Sequence, residues 1–122
     1  MDKITTRKGE TFQLLDSGRN SPIVDAEPGS QGKQSPTNYR FDLMDSRLQL
    51  EIANVFHEGA EKYGPDNWKY ISAKNHINKA LIHIHGHLAG DRNDDHLVHA
   101  IVRMLMASVV ERDGVLTTVG GE

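Results

Sequence analysis

From residue 45 onward the apolar positions recur at helical spacing. Leu48, Ile52, Val55, Phe56, Gly59 and Ala60 share one face, Asp45 or Ser46 stands at the cap position, and Gly64-Pro65 follows Lys62. This pattern predicts a helix from about residue 45 to Lys62, stopped where proline cannot continue it. A second stripe (Ala73, Ile77, Ala80, Leu81, Ile84, Leu88) starts after Ser72 and ends near Gly90. The third segment runs from Asp94 or Asp95 to about Glu111. Leu97, Ile101, Val102, Leu105, Met106 and Val109 surround much of its circumference, so it is either central or shared with another subunit. Three such helices with short connections make an all-α bundle.

The first 40 residues have a different pattern. Turn formers crowd positions 17–22 and 28–36, residues 11–15 suit a short extended piece, and Ile23-Val24 is too little for a strand. The expectation is a loop-rich arm over 1–40, laid on the helical core or a partner subunit and partly ordered by ligand. A helical domain follows over 41–113, then a loose tail over 114–122.

Composition narrows the function classes. A chain of 122 residues buries a limited core, so a homo-oligomer, dimer or tetramer, is expected. The formal charge of −3 argues against a general nucleic-acid binder. No apolar run reaches the roughly 20 residues that span a bilayer, and no leader pattern opens the chain. With no cysteine, the chain fits a reducing cytoplasm. Five of the seven histidines fall between His83 and His99.

The polar positions within the helices carry the candidate chemistry. Glu51, Asn54, Glu58 and Glu61 recur at i, i+3, i+7 and i+10, a stripe able to hold hard cations or simply to face water. His76, His83 and His87 lie on one flank of the second apolar stripe and His85 on the other. His83 and His87, one turn apart, could share a ligand or metal, or fill the helix boundary by bonding carbonyls. On the third helix His96, His99 and Arg103 form one line beside Asp94 and Asp95. Imidazoles at that spacing suit a metal or phosphate oxygens, Arg103 suits phosphate, and Asp95 suits a helix cap. This line is expected to face the ligand site. In the turn after the first helix, Lys62, Tyr63, Asn67 and Trp68 bring an ammonium, two stacking rings and a base-reading amide together. The rings could equally plug the end of the bundle.

The order Arg40-Phe41-Asp42-Leu43, Gly59-Ala60-Glu61-Lys62-Tyr63-Gly64, Asn67-Trp68, Ala80-Leu81-Ile82-His83, Gly90-Asp91 and His96-Leu97-Val98-His99-Ala100 resembles the phage and bacterial family of the dATP/dGTP diphosphohydrolase N-terminal domain. The Gly29-to-Lys33 stretch is similar to a Gly/Lys element that precedes it in that family. More distantly, the chain resembles the all-α MazG-type nucleotide pyrophosphohydrolases, which hold magnesium on two acidic pairs. Glu58-x-x-Glu61 has the spacing of the first pair; His96-x-x-His99 stands where the second would be, and Ile82 replaces an expected arginine.

The resemblance implies hydrolysis of a purine deoxynucleoside triphosphate to monophosphate and pyrophosphate, in the host cytoplasm if the chain is phage-encoded. It implies Mg²⁺ or Mn²⁺ (Zn²⁺ where histidine ligates) on Glu51, Glu58, Glu61, Asp95 and His96. Lys62, His83, His99 and Arg103 would then stabilise charge with Glu51, and Lys33, Tyr63, Asn67, Trp68 and His87 would hold the nucleotide. Two other readings stay open. One is a nucleotide-binding protein without turnover. The other is a histidine-aspartate metal phosphohydrolase using His83, His96 and Asp95, which the lack of an adjacent His-Asp pair weakens.

Overall fold

The computed structural model describes residues 22–117, together with the backbone of residues 3–5 and 11–13. The chain divides into two compact units, residues 1–44 and 45–122. In the first, β1 (Lys3–Thr5) pairs antiparallel with β2 (Thr11–Gln13), Ile4 opposite Phe12. Val24, which with Ile23 offers too little for a strand by sequence, forms β3 with Asp25 (Val24–Asp25), antiparallel to β4 (Lys33–Gln34). The missing signal was the partner. Ala26 N–H donates to the Gly32 carbonyl at 2.8 Å, closing a turn that supplies the second strand. A single 3₁₀ turn, Phe41–Leu43, ends the unit. The turn expected at 17–22 lies outside the described residues except for Pro22.

The second unit is the all-α bundle: α1 (Ser46–Tyr63), α2 (Ala73–Leu88) and α3 (His96–Asp113), with a 3₁₀ turn at Asn67–Tyr70. Each helix opens on a short oxygen-bearing side chain that satisfies an orphan backbone donor. Asp45 accepts from Leu48 N–H at 2.8 Å, Ser72 from Asn75 N–H at 3.2 Å, and Asp95 from Val98 N–H at 3.4 Å. Gly64, at φ +94°, takes the backbone out of α1 through a conformation that side chains resist.

α3 is the central element. It packs most extensively on α2 and also on α1 and the 3₁₀ turn. The core of the described residues is built from small side chains: Ala80, Val98, Ala100, Val102, Ala107 and Val110. The larger ones stay outside: Ile77, Leu81, Leu97, Ile101, Met104 and Leu105 are 36–49% exposed. Among the described residues no helix is long and apolar enough to cross a membrane. Residues 118–122 of the expected tail lie outside the described residues. Before them, Leu116 N–H donates to the Lys69 carbonyl at 2.9 Å.

Candidate functional site

A groove runs between α1 and α3, formed by two adjoining hollows of about 460 and 370 Å³ that share Val55, Glu58, Asp94 and His99. Hollows of that size fall within the range of small-molecule sites. The upper hollow adds Arg47, Glu51, Asn54 and Asp95; the lower adds Lys62, Tyr63, Arg103 and Met106. Glu51 and Asp95 therefore lie at one end of the groove, with Arg47 as the cation there, and Lys62 and Arg103 at the other, with Glu58, Asp94 and His99 common to both.

The helical period explains this division. Glu51, Asn54 and Glu58 lie on the flank of α1 that faces α3, and Asn54 Nδ2 donates to Glu58 Oε1 at 3.2 Å. Glu51, 40% exposed, lies 3.7 Å from Arg47 Nε, a loose surface pair. Glu61, the fourth member of that stripe, is on neither wall. It turns to solvent and lies 3.8 Å from His57 Nε2. At that level of α1 the wall is formed by Lys62, and adjacent helical residues point about 100° apart.

On α3 the expected line divides as well. His99 and Arg103 enter the groove, whereas His96 turns to α2. His96 Nε2 lies 2.8 Å from Asp91 Oδ2, and its Nδ1 is 2.9 Å from Nδ1 of His83. His83 in turn stacks on His99 with ring centroids 5.0 Å apart, and His99 Nε2 approaches Asp94 Oδ1 at 3.4 Å. A relay of polar contacts thus runs from α2 into the groove. Gly86 makes it possible: a Cβ there would lie 2.8 Å from His96 Nε2. Asp91 and Gly86 were not singled out from the sequence; the Gly90-Asp91 element was the available signal for the first, and nothing marked the second.

Arg103 is held from behind by His76, which is fully buried. The guanidinium Nη1 donates to His76 Nδ1 at 3.0 Å, so the proton of that ring sits on Nε2 and is donated to the Trp68 carbonyl at 2.9 Å. Burial pushes the His76 pKa down, the Trp68 carbonyl partly counters it, and the Arg103 charge adds to the depression. Burial also lowers His83, helped by the neighbouring His99. Asp91 is held below the usual carboxylate range by the Asn93 backbone donor and by His96.

A pH dependence follows from His76. Its folded pKa lies below the unfolded value of about 6.5, so under that pH the unfolded chain binds a proton that the folded chain refuses. Stability is fully present above about pH 6.5 and is lost as pH falls towards the depressed folded value. The urea midpoint should be lower at pH 5.5 than at pH 7.5; equal midpoints would contradict this.

The remaining sequence candidates lie elsewhere. Trp68 meets Phe56 edge-on at 5.9 Å, Lys69 Nζ lies over its ring, and Asn67 starts the same turn. These two residues close the end of the bundle and line neither hollow. His87 is half-buried one turn beyond His83, and its carbonyl accepts from Arg92 at 2.8 Å. Lys33 belongs to the N-terminal unit, where it pairs with Asp25.

A family model described as dATP/dGTP diphosphohydrolase, N-terminal, matches residues 28–118. Comparisons with curated proteins and with solved structures give no match.

Proposed function

The chain belongs to the dATP/dGTP diphosphohydrolase N-terminal family, and on that premise we propose that the α1–α3 groove hydrolyses a purine (deoxy)nucleoside triphosphate to the monophosphate and pyrophosphate, serving nucleotide-pool control. The observation that carries this reading is the polarity of the groove, with the carboxylates of Glu51 and Asp95 at one end, Lys62 and Arg103 at the other, and Glu58, Asp94 and His99 between them.

An all-oxygen donor set on two facing helices fits a hard cation better than a soft one. Glu51, Glu58 and Asp95 are the residues that would hold Mg²⁺ or Mn²⁺, which when bound polarises phosphoryl oxygens and acidifies water. Lys62 and Arg103 take the phosphate chain, and the fork of Arg103 is aimed by His76 behind it. His99 stands between the two ends, where it can donate to an oxygen that gains charge as the bond from the α-phosphorus to the bridging oxygen breaks. Water oxygen joins the α-phosphorus, and pyrophosphate leaves. Tyr63, 61% exposed at the rim, offers its face to the base. The likeness to MazG-type enzymes is consistent with carboxylates on two helices. Here those of the later helix come from its cap rather than its body.

Incubation with a panel of ribo- and deoxynucleoside triphosphates tests the reading. Turnover should require Mg²⁺ or Mn²⁺, stop with chelator and favour purines. A nucleotide bound tightly and recovered unchanged would instead support a sequestering role.

Self-association is part of the proposal. Small core side chains and the exposed Leu97, Ile101, Met104 and Leu105 leave apolar area that a second copy would bury. Light scattering at micromolar concentration should give a dimer or tetramer; a monomer would sink this part.

A further inference from the structure

Behind the groove, α2 and the start of α3 bring a second set of ligating groups together. One ligand atom from each of His83, Asp94 and His96 lies within 4.8 Å of the other two. Among the described residues this is the one such gathering of histidine or carboxylate groups. Its chemistry differs from that of Glu51, Glu58 and Asp95 in the groove: two imidazoles and one carboxylate rather than three carboxylates.

The proton arrangement favours a ligand here. His96 Nε2 donates to Asp91 Oδ2 at 2.8 Å, which fixes the ring and leaves Nδ1 as a lone pair. That lone pair points at His83 Nδ1, 2.9 Å away. An imidazole whose far nitrogen donates to a carboxylate while the near one presents a lone pair is the usual state of a metal-ligating histidine; here that lone pair accepts from His83. Asp91 is itself held in place, its Oδ1 accepting from Asn93 N–H at 3.0 Å. Asp94 is oriented by Asp95 N–H at 2.8 Å. The ring of His96 packs closely on α2, its Nε2 2.8 Å from where a Cβ on Gly86 would sit.

We propose that His83, Asp94 and His96 form a binding site for a transition-metal ion of the Zn²⁺ class, which borders the carboxylate groove and shares Asp94 with its wall. Two metal–nitrogen bonds of about 2.0–2.1 Å at a tetrahedral angle span about 3.3 Å. The present nitrogen pair therefore needs to open by only a few tenths of an ångström, and the proton between them moves from His83 Nδ1 to Nε2 of the same ring, which leaves a neutral imidazole with Nδ1 free to ligate. Three protein ligands would leave one tetrahedral position open, and His99 is stacked on the ligating ring of His83. An ion here would pin the α2–α3 junction and hold His99 at the centre of the groove. Imidazole ligands disfavour Mg²⁺, so the two sites would select different ions from the same solution.

Co²⁺ provides a spectroscopic probe that is independent of turnover. Metal-free full-length protein is titrated with Co²⁺ in excess Mg²⁺, and visible absorption is recorded. A band saturating at one equivalent per chain is expected and should be displaced by Zn²⁺. It should vanish in His96→Ala, with retained helical circular dichroism as the control. Asp94 is exposed and its replacement spares the core, so Asp94→Asn should weaken Co²⁺ at least about tenfold. Asp91→Asn, acting through His96, should weaken it roughly 10–100-fold. Glu51→Gln should leave the titration unchanged. Absence of a saturable band in the wild type would overturn the proposal, as would a band lost in Glu51→Gln yet kept in Asp94→Asn.

Discussion

Glu58→Gln should lower kcat/KM for the preferred purine triphosphate by at least about a hundredfold, with unchanged helical circular dichroism. Glu58 is the one α1 carboxylate on the wall of both hollows, so on that helix it is the acid that adjoins both the acidic and the cationic end. Its exchange for an amide keeps shape and the contact from Asn54 but removes the charge that would hold a hard cation. Losing electrostatic stabilisation of this kind costs several kcal/mol of barrier, and each 1.4 kcal/mol or so is tenfold in rate. Glu61→Gln is the matched control. Glu61 sits three residues on, faces solvent beside His57, and should keep activity within about twofold. Equal losses in both variants would return the site to the whole sequence stripe rather than the groove wall.

His76→Ala should be the most destabilising single substitution in the helical unit, by about 3–5 kcal/mol. The ring is fully buried, so its removal opens a cavity. It also deprives the Trp68 carbonyl of its donor and Arg103 of its acceptor, and buried polar groups left alone are costly. Domains of this size hold only about 5–15 kcal/mol in total, so the melting temperature should fall by roughly 12 °C or more. His76→Gln, which offers both a donor and an acceptor, should recover part of the loss. A melting temperature within about 2 °C of wild type in His76→Ala would contradict the structural role.

The helices were legible from the sequence because their signals are local. Asp45, Ser72 and Asp95 each stand within three residues of the start of an apolar stripe, and each caps the helix that follows. The centrality of α3 was legible from its apolar circumference, and the groove residues Glu51, Glu58, Lys62, His99 and Arg103 from their spacing. What the spacing could not carry is which neighbour each side of α3 meets. His96 and His99 lie about 60° apart on the helix, and with partners on two sides that angle is enough to send one to α2 and the other to α1. The same limit applies to His76. Its place on the flank of a stripe was plain, but its grip on Arg103 spans 27 residues and exists only once α2 and α3 have packed. Asn67 and Trp68 carry suitable chemistry for a base, yet packing commits the indole to Phe56.

The most direct test of the central claim is the identity of the products. Purified protein is incubated with dGTP or dATP and Mg²⁺ or Mn²⁺, and the mixture is resolved by anion-exchange chromatography. The account predicts deoxynucleoside monophosphate and pyrophosphate in equal amounts, with neither formed in chelator or in Glu58→Gln. Release of orthophosphate, formation of nucleoside with tripolyphosphate, or recovery of intact triphosphate with both metals would contradict it.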